Sequence, residues 1–181
     1  PFDVVTGKDL PALDRYPLVI LPNVLRMRPN EVEEIRDYVR RGGRIYASRY
    51  TSLTGSDGTR YDDFQLADVF GCHIEADDLG SVTYLRPVSS ELATVIKPQK
   101  YLDHLGAEER AGALRLKTKI EGESLATLSL PFAPEWGDVF DKRWGSFHSS
   151  PPWQDTDAPA IVTNNYGKGK AIYSAADIET I

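Results

Sequence analysis

Between Pro17 and Ser48 the chain carries a pattern that few folds can accommodate. Leu18-Val19-Ile20-Leu21 is a short apolar run closed by Pro17 and Pro22, which reads as a strand buried on both faces. Asn30 then stands as a helix N-cap with Glu33 three residues on. Val32, Ile35, Tyr38 and Val39 recur at helical spacing until Gly42-Gly43 stops the helix. Its outer face is ionic, with Asp37 four residues before Arg41 and Glu33 three before Arg36, pairs that contribute a few tenths of a kcal/mol each. Arg44-Ile45-Tyr46-Ala47-Ser48 follows as a second strand. Strand, capped helix and strand within about 30 residues make a βαβ unit, and such a unit requires a parallel sheet.

Around this unit, Phe2–Val5 reads as a neighbouring strand and residues 8–13 as a short helical connection. Phe64, Leu66, Ala67 and Phe70 mark a short amphipathic helix ending at Gly71. Beyond it the rhythm changes. Residues 82–86, 113–120, 125–130, 159–163 and 170–175 are strand-like, separated by Gly, Pro and Asx clusters, and the last two are joined by a hairpin at Asn164–Gly169. An α/β front half and a β-rich back half closing on the same sheet are therefore expected. At 181 residues the chain is long enough for one domain with a sizeable insertion, and it opens on Pro1 directly before the first strand-like run, as a piece excised from a longer protein would.

Charge and composition remove several function classes. No stretch approaches the roughly 20 apolar residues that a membrane-spanning helix needs. Net charge is −6, and residues 61–112 hold four basic against ten acidic side chains, so no basic stripe exists to neutralise phosphates. Neither a nucleic-acid nor a membrane partner is expected. The single cysteine, Cys72, leaves no partner for an internal disulfide. The three histidines, His73, His104 and His148, stand more than 30 residues apart and form no metal-binding spacing. Asp77-Asp78 and Asp155-x-Asp157 lack the graded oxygen ligands of a calcium loop. No metal or cofactor is expected.

Nucleophilic chemistry would sit on the tight turn after the second strand, Ser48-Arg49-Tyr50-Thr51-Ser52. A nucleophile elbow needs small residues two before and two after the nucleophile. Ser48 has Tyr46 and Tyr50 there, and Ser52 has Tyr50 and Thr54. Cys72 reads as a buried thiol, and in extended chain it points away from His73. Gly167-Lys168-Gly169 and Gly55-Ser56-Asp57-Gly58 read as turns rather than phosphate loops. The remaining feature is residues 131–153, which hold all three tryptophans, Trp136, Trp144 and Trp153, with Phe132, Phe140 and Phe147. These aromatics either cover the sheet, anchor a subunit interface or stack on sugar rings. Trp136, Trp144, Phe147 and Trp153 are the interface or sugar-contact candidates.

The run 16–22, the helix ending Tyr38-Val39-Arg40-Arg41-Gly42-Gly43, the strand 44–48 and the segment Phe64–Gly71 resemble the β-galactosidase trimerisation domain. The ending, Ala160-Ile161-Val162 through Tyr166-Gly167-Lys168-Gly169-Lys170 to Ile172-Tyr173, is similar to how such modules close. The likeness covers residues 2–75 and 158–176. It implies a flavodoxin-like, class I glutamine amidotransferase-like sheet, mostly parallel, with helices on both faces and a β-rich second half. It also implies one accessory domain over 1–181, with an insertion or extension around 76–157. Such a module has lost amidotransferase catalysis and serves architecture behind a family 42 glycoside hydrolase barrel. Its implied partners are the parent's other domains and further copies of itself. Two other readings stand beside this one: a carbohydrate-binding module using its tryptophans, and a self-sufficient hydrolase using Ser48, Ser52 or Cys72.

Overall fold

The computed structural model describes residues 2–76, 82–97, 100–103, 113–131, 151–176 and 178–180. The expected βαβ unit forms. β1 (Val19–Leu21) leads through β2 (Arg26–Met27) into α1 (Pro29–Arg41), and β3 (Arg44–Ser48) returns parallel to β1. α1 starts two residues earlier than an Asn30 cap would place it, with Arg28 at the cap. Pro29 takes the first helical position, where a missing N–H costs nothing, and the Glu31 carboxylate accepts from the Arg28 backbone N–H at 2.8 Å. The helix buries Val32, Ile35, Tyr38 and Val39, and each aliphatic side chain so buried contributes roughly 1.5–3 kcal/mol. On its outer face Glu33 pairs with Arg36 as expected, but Asp37 pairs with Arg40, and Arg41 reaches Asp14 at 3.0 Å.

After β3, the chain runs through β4 (Thr54–Gly55), which pairs with β2, to α2 (Ala67–Phe70) and β5 (Ile74–Ala76). Then come β6 (Val82–Pro87), α3 (Ser90–Ala93), β7 (Lys100–Asp103), β8 (Arg115–Leu116), β9 (Glu123–Pro131), β10 (Pro152–Tyr166) and β11 (Gly169–Ser174). One sheet takes the order β1-β3-β11-β10-β9-β6-β7, and β5 pairs with β8 separately. β11 runs parallel to β3 on one side and antiparallel to β10 on the other. It therefore joins the parallel front to the antiparallel back. The hairpin that makes this possible turns at Tyr166–Gly169, with Gly167 at φ 60°.

Three expectations are corrected here. The flavodoxin-like, amidotransferase-like sheet with helices on both faces does not form. The molecule is β-rich with a mixed sheet, and among the described α-helices only α1 exceeds a turn or so. The pairs β10–β11, β9–β10, β6–β9 and β6–β7 are all antiparallel, and antiparallel neighbours need no crossover helix. Phe2–Val5 is not a strand, and Phe2 and Val4 are exposed. β1 is buried on one face only, since Ile20 is 56% and Leu18 48% exposed.

α1 and α2 lie on the same side of the sheet. Register aligns Val19, Ile45 and Ala171 in one row and Leu21, Ala47 and Tyr173 in the next, all buried. Gly169 lies on that same side, and a β-carbon there would run into the carbonyl oxygens of Val39 and Gly43. α1 is thus seated against the backbone of β11. On the same side, Phe70 of α2 stacks on Tyr173 at 4.9 Å and Phe64 closes the cluster at 5.0 Å. Gly169→Ala is expected to lower unfolding free energy by about 1–3 kcal/mol, the usual cost of overpacking against atoms that cannot move aside. Urea denaturation followed by tryptophan fluorescence checks this.

Candidate functional site

The turn after β3 has the backbone strain that reactive turns show, but its side chains are committed to the turn itself. Arg49 follows the strand at φ 44°, Ser52 stands at φ 65°, and Asn23, at the facing end of β1, stands at φ 48°. Such conformations persist only where surrounding bonds over-determine them. Here they do. Ser48 Oγ accepts the Asn23 backbone N–H at 2.9 Å and donates to the Glu179 carboxylate. Asn23 Oδ1 accepts the Tyr50 N–H at 3.1 Å, and Thr51 Oγ1 bonds the carbonyls of Leu21 and Ser48. Ser52 Oγ accepts the Leu66 N–H at 3.2 Å. The Tyr173 hydroxyl donates to the Arg49 carbonyl at 2.5 Å, and the buried Arg49 guanidinium lies 5.0 Å from the centre of the Tyr50 ring.

Cys72 is buried, and that burial pushes its thiol well above the ordinary range, with the Asp63 and Glu121 charges adding to it. A thiolate is the nucleophilic form, so such a thiol is inert. His73 turns outward. Its Nδ1 meets Asp63 Oδ2 at 2.5 Å and its Nε2 meets Glu121 Oε2 at 3.1 Å. Both ring nitrogens are occupied by carboxylates, so this imidazole ties the loop before α2 to the turn before β9. His104 and His148 lie outside the described residues, as do Asp77, Asp78, Trp136, Trp144 and Phe147. No group of His, Cys, Asp or Glu among the described residues is arranged to hold a metal.

Two surfaces stand out instead. The first is the side of the parallel strands opposite α1 and α2. Alternation and register place Ile20, Tyr46 and Ile172 in one row, continued by Thr163 of β10. Leu18, Arg44, Lys170 and Asn165 form the row beneath it. Ile172 is 37% exposed, and Tyr46 is half-buried where its hydroxyl donates to Glu179 at 2.7 Å. Sequence reading missed this surface, because an apolar strand residue looks the same whether its cover is in the chain or outside it.

The second surface is the N-terminal half of β10. Residues 152–160 pair with β9 and not with β11, so they extend past the central strands. Trp153 sits there, 73% exposed. The same stretch supplies Gln154, Asp155 and Asp157 to a cleft of about 500 Å³, shared with Glu75 and Arg115. Asp155 is held below the usual carboxylate range, first by the Ser129 hydroxyl and then by Arg86, whose guanidinium lies 2.9 Å away.

Two outcomes follow from the occupied side chains. Hydrogen bonding to Asp63 raises the His73 pKa above its ordinary 6.5, the Asp63 and Glu121 charges adding to that and burial opposing it. A raised folded-state pKa gives stability that is full below about pH 6.5 and lost as pH rises through the folded value. The urea midpoint of the native chain should therefore exceed that of His73→Asn most at pH 6 and converge toward it on the alkaline side. Cys72 should react with an aromatic disulfide reagent only at the rate of unfolding, which absorbance in native and denaturing buffer distinguishes.

Comparison with known proteins places this arrangement. The fold superposes on a cold-adapted β-galactosidase from Rahnella sp. R3 with a TM-score of 0.60 and 22% identity, covering 91% of this chain and 20% of that one. A catalytic mutant of Gan42B, a GH42 β-galactosidase from G. stearothermophilus, gives a TM-score of 0.60 at 17% identity, covering 90% of this chain and 19% of that one. An α-L-fucosidase isoenzyme 2 from Paenibacillus thiaminolyticus also gives 0.60, at 18% identity, covering 91% of this chain and 22% of that one. The chain thus spans about a fifth of the length of these proteins. No protein of curated function matches it in sequence. The family model for the β-galactosidase trimerisation domain matches residues 1–180, and the chain therefore belongs to that family.

Proposed function

We propose that this chain is a non-catalytic oligomerisation domain, and that the polypeptide carrying it is a glycoside hydrolase of carbohydrate metabolism. The observation that carries this reading is the family match along residues 1–180. The turn after β3 supports it. A domain working on substrate would keep a hydroxyl or thiol accessible there, whereas Ser48, Ser52 and Thr51 spend their hydrogen bonds on fixing the chain and Cys72 is buried. The row of Ile20, Tyr46 and Ile172 supports it too, because the apolar surface that Ile20 and Ile172 leave in water gains by cover from a neighbour.

Trp153 belongs to the same reading. Tryptophan is enriched at protein interfaces, and the side chains beside it on β10 are carboxylates and an amide, which also suit sugar hydroxyls. Protein contact is the role assigned here, and the two roles respond differently to ligand. Galacto-oligosaccharides at roughly ten millimolar, well above weak lectin-like affinities of about a millimolar, should leave the fluorescence of the assembled protein unchanged. Sedimentation equilibrium of the full-length polypeptide should give three times the monomer mass at micromolar concentration, and deletion of this domain should return the monomer. A full-length protein that stays monomeric at that concentration would overturn the reading.

A further inference from the structure

We infer that copies of this domain meet head to tail, with the Trp153 region of β10 on one copy seated against the Ile20–Tyr46–Ile172 row of the next. The inference rests on the assembly role proposed above and assigns it a geometry. A closed ring of three identical chains cannot use one self-complementary patch. Each contact is heterologous, so every chain must present two different surfaces that fit each other. This chain presents two. They lie on different parts of the sheet, one on the side of β1, β3 and β11 away from α1 and α2, the other on the half of β10 that runs beyond β11.

The two surfaces match in shape of chemistry and in charge. The first is an aliphatic row, with Ile20 and Ile172 exposed on either side of Tyr46. A large aromatic side chain is the complement such a row takes, burying on the order of 150–250 Å² of its own surface, and Trp153 is 73% exposed on the second surface. Beneath the aliphatic row lie Arg44 and Lys170, aligned in register on neighbouring strands. Beside Trp153 lie Asp155 and Asp157, and with Glu75 they outnumber the two nearby guanidiniums of Arg86 and Arg115. Glu179 bonds to Tyr46 and Ser48 at the upper margin of the row, and Glu123 aligns with Thr163 at its far end. The cations therefore sit on one side only, which fixes a direction for the incoming strand.

Two experiments on the full-length polypeptide test this. In the first, Lys170→Glu and Asp157→Lys are made singly and together, with circular dichroism as the check on folding. Each single reversal should raise the assembly dissociation constant roughly tenfold or more by sedimentation, a change of about 1.4 kcal/mol, and the double reversal should recover most of the loss. In the second, a chain carrying Ile172→Cys is mixed with a chain carrying Trp153→Cys under mild oxidation. A disulfide-linked pair of unlike chains is expected, and the buried Cys72 serves as the silent background. If the protein assembles but neither reversal weakens it and no mixed disulfide appears, the head-to-tail contact is wrong while the oligomerisation role stands. In that case the row faces another domain of the parent. If the unmodified protein never assembles, the role itself fails and this geometry falls with it.

Discussion

The contact on which the architecture depends is the seating of Gly169 against the carbonyl oxygens of Val39 and Gly43. Only a residue without a β-carbon lets the first residue of β11 come that close to the end of α1. Because β11 starts there, its next five residues fall into register with β3. Its other edge is then free to receive β10 from the hairpin. One strand thereby serves a parallel unit and an antiparallel one, and the two halves of the chain share a single sheet. The Lys168 N–H donating to the Arg40 carbonyl at 3.0 Å holds the hairpin to the helix end from the other direction.

The turn after β3 shows how a strained bend can be kept without chemistry. Positive φ at Arg49 and Ser52 costs of order 1–3 kcal/mol for each residue. At this place the strain is held by Tyr173 beneath, Thr51 within, and Asn23 across from the end of β1. Ser48 resembles a nucleophile by position and is a cap by bonding. Its hydroxyl receives the Asn23 N–H and gives its own proton to the Glu179 carboxylate, so one bond ties the β3 turn to the end of β1 and the other to residues 178–180.

Much of the front half was legible because each local signal agreed with the next. Val32, Ile35, Tyr38 and Val39 declared the buried side of α1, and Gly42 declared its end. The cap is not legible because Asn30 and Glu33 make a good box by residue type, whereas the box forms between Arg28 and Glu31, with Pro29 at the first helical position. The expectation of two helix layers failed for a different reason. A parallel pair of strands argues for helices, but the chain after α2 returns mainly by long antiparallel strands, which need no crossover helix. β9 and β10 read as short runs in the sequence, since their polar ends, such as Gln154 and Asp155, carry no alternation. Pairing across the sheet keeps them extended. The functional surfaces were the least legible. Leu18 and Ile20 look like core in a sequence, and Cys72 and His73, which look like chemistry, are respectively packed and tied between two acids.

On the side of the sheet away from α1 and α2, Ile20 and Ile172 keep apolar surface in water. The free energy missing from that row can come from whatever settles on it. Where that is another molecule, burial enters through mass action and not through the fold alone. The resistance of such a domain to heat then depends on how much of it is present. Diluting the protein would lower its melting temperature without altering a single bond within the chain.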